Sequence, residues 1–204
     1  MHISLPLPKF FQRSSTLLVY GDQALVSGLS FLTSVVLARY LGVQGFGIYS
    51  IAWIGVLIAS SINQPFIIAP MQTLSGKKNP AEQNVYLQAL VIKQLIFAAI
   101  MGFLAFMSVI VMSYVLKTWK VESIILAFPL AVFSFLLQDF FRRYFFIKGK
   151  QDKAMLIDAV AYGGTFLSAF GLHFIRNMDA QFVLLLTALF FLYSSLIALW
   201  SMDE

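Results

Sequence analysis

Six stretches of this chain, about 15–39, 46–71, 88–115, 122–143, 154–175 and 180–201, are long, apolar and poor in charge. A bilayer core of ~30 Å needs about 20 helical residues to cross it, so each stretch qualifies as a transmembrane helix. Lipid offers the backbone no hydrogen-bond partners, and a helix satisfies its own. The runs are too long for strands and do not alternate. The pattern predicts an all-α membrane protein, a six-transmembrane-helix bundle over 14–204. A short interfacial segment is expected at 1–13, where Phe10 and Phe11 sit between Lys9 and Arg13. Pro6 and Pro8 break the apolar run that a secretory signal would need there.

Composition closes off the soluble alternatives. The chain has 204 residues, of which 60% are hydrophobic and 11% charged, too few polar groups to cover a water-facing surface. With no cysteine there is no disulfide framework and no thiolate nucleophile. His2 and His173 are far apart, and no metal or cofactor is expected. The sequence has no Gly-rich phosphate loop, no HExxH and no nucleophile elbow, so the expectation is that it is not an enzyme. The net charge of +5 gathers at helix ends and does not call for nucleic acid. Lys9, Arg13, Lys77, Lys78, Arg142, Arg143, Lys148, Lys150 and Lys153 would lie on one side of the membrane, against Arg39, Lys117, Lys120 and Arg176 on the other. The positive-inside rule then puts both termini in the cytoplasm. Tyr114 and Trp119 would mark the outer interface, and Tyr144, Phe145 and Trp200 the inner one.

Charges within a bilayer cost at least ~2.5 kcal/mol each, so the few here need a reason. Asp139, Arg142 and Arg143 fall at i, i+3 and i+4 at the inner end of the fourth stretch. They serve either as an inner-leaflet anchor or as a cationic wall of a cavity, with Asp139 holding an arginine in place. A guanidinium fork suits a phosphate or pyrophosphate. Asp22 is an acid favoured by a helix N-terminus, a titratable group coupled to ion movement, or a partner for Lys93 or an arginine of the fourth helix. Lys93 is expected to snorkel at the interface, and a deeper position would require such a partner. Arg39 anchors a turn.

Polar and small residues mark two further places. Ser60, Ser61, Asn63 and Gln64 precede Pro65 in the second stretch, with Pro70 beyond. They read either as a kink repaired by serine or as the polar wall of a water-filled path. Pro129 is expected to bend the fourth helix. Ser27, Ser30 and Ser34 on the first helix, and Gly164, Ser168 and Gly171 on the fifth, would admit close neighbours. His173 is expected as an interfacial residue, not a ligand.

Two segments carry a family resemblance. Gly-Asp-Gln at 21–23 is followed by LARYLGVQGFGIYS, with Ala38, Arg39, Leu41, Gly42, Gly45, Phe46, Gly47 and Tyr49 as the matching residues. FRRYFFIKGKQDKA follows at Phe141 to Ala154. Together they resemble the N-terminal half of Wzx-type oligosaccharide flippases, within the superfamily of multidrug, oligosaccharidyl-lipid and polysaccharide exporters. The resemblance implies one lobe of a MATE-like transporter in the bacterial cell inner membrane. Its cargo would be undecaprenyl-pyrophosphate-linked oligosaccharide for surface polysaccharide such as lipopolysaccharide, and its partners membrane lipid, that substrate and a second lobe. The second lobe would be a missing C-terminal half or another copy, and the chain alone is not expected to transport. The resemblance carries over Arg142 and Arg143 as cavity candidates; the residues themselves add Asn63 and Gln64 as cavity candidates and Asp22, Asp139 and Lys93 as ion-coupling or salt-bridge candidates. A lipid II flippase lobe, or a multidrug/cation antiporter lobe if the cavity is net negative, is the alternative. A non-transporting assembly partner is another.

Overall fold

The computed structural model describes residues 9–115, 124–171 and 179–202, with side chains from Leu17 onward. His2, Lys117, Trp119, Lys120, His173 and Arg176 lie outside the described residues, as does much of the segment 1–13. The described residues form helical rods and no strand. These are α1 (Lys9–Tyr40), α2 (Gly42–Ser75), α3 (Pro80–Val115), α4 (Ala127–Ile147), α5 (Gln151–Gly171) and α6 (Ala180–Trp200). The chain is therefore all-α, and α1, α2, α3, α5 and α6 are long and apolar enough to cross a membrane. In α4, Asp139, Arg142 and Arg143 interrupt the apolar run.

The placement of α4 explains how it tolerates those charges. It packs along α6 and α3 and also touches α2 and α5, so protein surrounds it on most sides. Phe135, Leu136, Phe140, Phe141 and Phe145 of α4 are all buried. The outer rods turn the other way. Ile92, Ile96, Ile100 and Phe103 of α3, and Phe182, Leu189 and Leu196 of α6, are exposed. Such broad apolar surface is unfavourable in water and natural against acyl chains.

Several boundaries and faces differ from the expectations. α1 reaches back to Lys9, absorbing part of the segment assigned to the interface. The glycine-marked turn shrinks to Leu41, and Gly42, at φ 67°, already opens α2. Pro129 does not bend α4: it lies in the first turn, where a missing N–H costs no helical bond. Tyr144 and Phe145 are core residues, not an interfacial belt, because α4 is central; Trp200 and Tyr114 are exposed. On α1 the buried face is that of Asp22, Thr33 and Leu37, while Ser27 and Ser34 face outward. Ser34 donates to the Ser30 carbonyl at 2.9 Å, which satisfies its hydroxyl locally.

Two rods contain a π-helical turn, Gln64–Ile68 in α2 and Ala159–Gly163 in α5. In α2 the cause is visible, since Pro65 has no N–H for the carbonyl one turn back. Serine participates nearby: Ser61 donates to the Leu57 carbonyl at 2.9 Å.

α4 ends in a cap that sets the direction of α5. Gly149 has φ 71°, the Lys150 N–H donates to the Phe145 carbonyl at 2.9 Å, and the Gly149 N–H to the Phe146 carbonyl at 3.2 Å. This is a Schellman arrangement, and glycine supplies its left-handed residue. The IKGKQ part of the second motif is thus a helix stop and reversal.

Close packing of α5 on α6 occurs at Gly164, where an added Cβ would lie 2.2 Å from Cδ1 of Phe190. Gly171, expected on the same tight face, has open space around it. Gly164→Ala is expected to destabilise the protein by about 1–3 kcal/mol through overpacking, even after a helix-propensity gain of roughly 1 kcal/mol. Gly28→Ala, with nothing within 4 Å, is expected to be neutral or stabilising. SDS unfolding of the purified protein measures both. Equal effects would contradict the α5–α6 contact.

Candidate functional site: a buried ionic constellation

Charges that entered the sequence on three different helices meet in the bundle. Arg142 extends from α4 toward α1, where its Nη2 donates to Oδ2 of Asp22 at 2.9 Å. The same nitrogen lies 3.5 Å from Oε1 of Gln23. Toward α5, Nε of Arg142 comes within 2.8 Å of Oδ2 of Asp158. That N–H is not aimed along the line, so this second contact is ionic without being a hydrogen bond. Gln138, one turn back on α4, donates its amide to Oδ1 of Asp158. Phe146 offers its ring to the guanidinium, 5.8 Å from Cζ to centroid.

The burial is asymmetric. Asp22 and Asp158 are 1% and 0% exposed, and the Arg142 side chain 19%. Two carboxylates therefore share one guanidinium that retains partial access to its surroundings. Oδ1 of Asp22 has no hydrogen bond among the described residues.

A second pair lies beside the first. Nε of Arg143 is 3.1 Å from both carboxylate oxygens of Asp139, one helical turn back on α4. Asp139 is buried, whereas the Arg143 side chain is 28% exposed. Asp139 takes Nε, and no hydrogen bond among the described residues occupies Nη1 or Nη2 of Arg143. The outer edge of its fork remains available for another acceptor.

The remaining candidates are elsewhere. Lys93 is exposed, and it is Arg142 that pairs with Asp22. Asn63 is fully buried on α2, and neither end of its amide has a hydrogen bond among the described residues. Gln64 next to it is half-buried, at the start of the π turn. Neither enters the ion pairs or hydrogen bonds of the constellation. Among the described residues no group of His, Cys, Asp and Glu could hold a metal ion.

Sequence reasoning missed Asp158 and Gln138. The signal for Asp158 was present, since it is an acid within an apolar helix and needs a reason on the same terms as Asp22 and Asp139. Gln138 gave none beyond adjacency to Asp139, because an amide in a helix has many possible partners. No family model, no curated protein and no solved structure matches this chain. What the fold and site define is a class: an all-α membrane protein with a buried, charge-bearing interior.

Arg142→Gln leaves two buried carboxylates without their cation, and is expected to cost about 3–5 kcal/mol in SDS unfolding. Arg143→Gln breaks a partly exposed pair within one helix and is expected to cost about 1 kcal/mol or less. The reverse order would mean that Arg142 is not the tie between α1, α4 and α5.

Proposed function

We propose that the chain is one lobe of a flippase for undecaprenyl-pyrophosphate-linked oligosaccharide in the bacterial inner membrane, with both termini in the cytoplasm. In this reading α4 crosses the membrane with the other five rods, shielded by them, and a second lobe supplies the opposite wall of the path. The observation that carries it is Arg143, gripped at Nε by Asp139 with its terminal amino groups uncommitted. An arginine held in that way is oriented for a phosphoryl oxygen and needs little further ordering on binding. The two motif segments support the same reading, since FRRYFFIKGKQDKA contains Arg142, Arg143 and the helix stop after them. Arg142 serves here as a tie between helices, and Arg143 meets the head group. No enzymatic step is assigned, because the proposed work is movement of an intact lipid.

The charge count favours a second reading, a cation antiporter lobe. Asp22, Asp139 and Asp158 face Arg142 and Arg143, which leaves the constellation one formal negative charge in excess. A net negative interior attracts cations.

Binding of undecaprenyl pyrophosphate to the chain in nanodiscs separates the two. Under the flippase reading Arg143→Gln weakens that binding about tenfold or more, since a charge-assisted hydrogen bond contributes roughly 1.5–3 kcal/mol. Arg143→Lys retains part of it. Unchanged binding in Arg143→Gln, together with saturable binding of ethidium, would replace the flippase reading by the antiporter one.

A further inference from the structure

Beside the corner where α2 gives way to α3 lies an open groove of about 520 Å³, within the range of roughly 300–1,000 Å³ usual for small-ligand sites. Its wall is made by Lys78, Ala81, Glu82, Val85, Tyr86 and Ala89. Three side-chain contacts pin the corner. Asn79 accepts from the Glu82 N–H at 2.9 Å where α3 begins, and Gln83 donates to the Ser75 carbonyl at 3.1 Å. The Tyr86 hydroxyl donates to the Pro70 carbonyl of α2 at 3.3 Å. A groove on elements tied in this way is largely formed before a ligand arrives.

The two charges of the wall do not neutralise each other. The Lys78 ammonium rests over the Tyr86 ring, 5.1 Å from its centroid. Neither Lys78 nor Glu82 enters an ion pair among the described residues. Lys148, at the same end of the bundle, donates to Asn84, which is not part of the wall. From Glu82 a stripe of α3 runs on through Val85, Ala89, Ile92 and Ile96, spaced three and four residues apart, so these share one face. All four are exposed and apolar. Lys93 flanks the stripe, and a lysine stem there snorkels toward the charged layer.

We propose that this groove seats one phosphatidylethanolamine molecule, its phosphate on Lys78, its primary ammonium on Glu82 and an acyl chain along the α3 stripe. The wall offers one cation and one anion four residues apart, and this headgroup has one of each, with N–H donors for a carboxylate. Phosphatidylglycerol brings the phosphate alone and leaves Glu82 facing a like charge. Phosphatidylcholine has no N–H to donate. A water-soluble zwitterion would leave the apolar stripe uncovered. The inference requires the chain to lie in a membrane and is independent of what it transports.

The test is native mass spectrometry of the full chain released from micelles, loaded with phosphatidylethanolamine, phosphatidylcholine or phosphatidylglycerol of matched acyl chains. One phosphatidylethanolamine is expected to bind about three- to tenfold more tightly than either other lipid, the effect of one hydrogen bond at a partly exposed site. Glu82→Gln is expected to remove that preference and to raise phosphatidylglycerol binding, whereas Lys78→Gln weakens all three lipids. Both side chains are exposed, so neither change disturbs the core. Asp152→Asn, an acid in the first turn of α5 outside the groove, is expected to leave the preference intact. Equal binding of the three lipids, tighter binding of phosphatidylglycerol, or a preference that survives Glu82→Gln would overturn the inference. So would a preference lost equally in Asp152→Asn. Each of these results leaves Arg143 and undecaprenyl pyrophosphate binding to decide the flippase reading.

Discussion

One guanidinium between two buried carboxylates from other helices fixes the relation of α1, α4 and α5. Each of these groups alone would be costly in a low-dielectric interior, and removing one exposes the cost of the others. The contacts work only if α4 is central, because Arg142 has to reach both α1 and α5. Centrality in turn lets α4 carry Asp139 buried and Arg143 mostly covered by neighbouring helices. The Schellman cap at Gly149 belongs to the same arrangement, since it returns the chain so that Asp158 on α5 stands beside Arg142.

Buried polar residues also border both π-helical turns. Asn63 immediately precedes the turn at Gln64–Ile68, and Asp158 the turn at Ala159–Gly163. A π turn accommodates an extra residue and so changes which side chains face inward, and such turns frequently occur at functional sites. In α5 the change follows the residue that meets Arg142. In α2 it follows an amide with no hydrogen bond among the described residues.

The rods were legible in the sequence because apolar length is a local property, and the all-α class followed from it. Their neighbours were not, because α4 looks like an ordinary span until its packing is known. That is why Tyr144 and Phe145 were expected at an interface and are in the core, and why Pro129 was expected to bend a helix that it begins. The Asp139–Arg143 pair was readable from its i, i+4 spacing. An arginine of the fourth helix was one of the partners open to Asp22, but the choice of Arg142 over Lys93 depends on packing between residues 120 positions apart. Asp158 could have been weighed by the same cost argument as the other acids.

A double-mutant cycle tests the central tie most directly, with Asp22→Asn, Arg142→Gln and the pair compared in SDS unfolding. A shared contact makes the pair cost less than the sum of the single changes, by a coupling of roughly 1–3 kcal/mol. Additivity within about 0.5 kcal/mol would mean that Asp22 and Arg142 act independently, which contradicts the account.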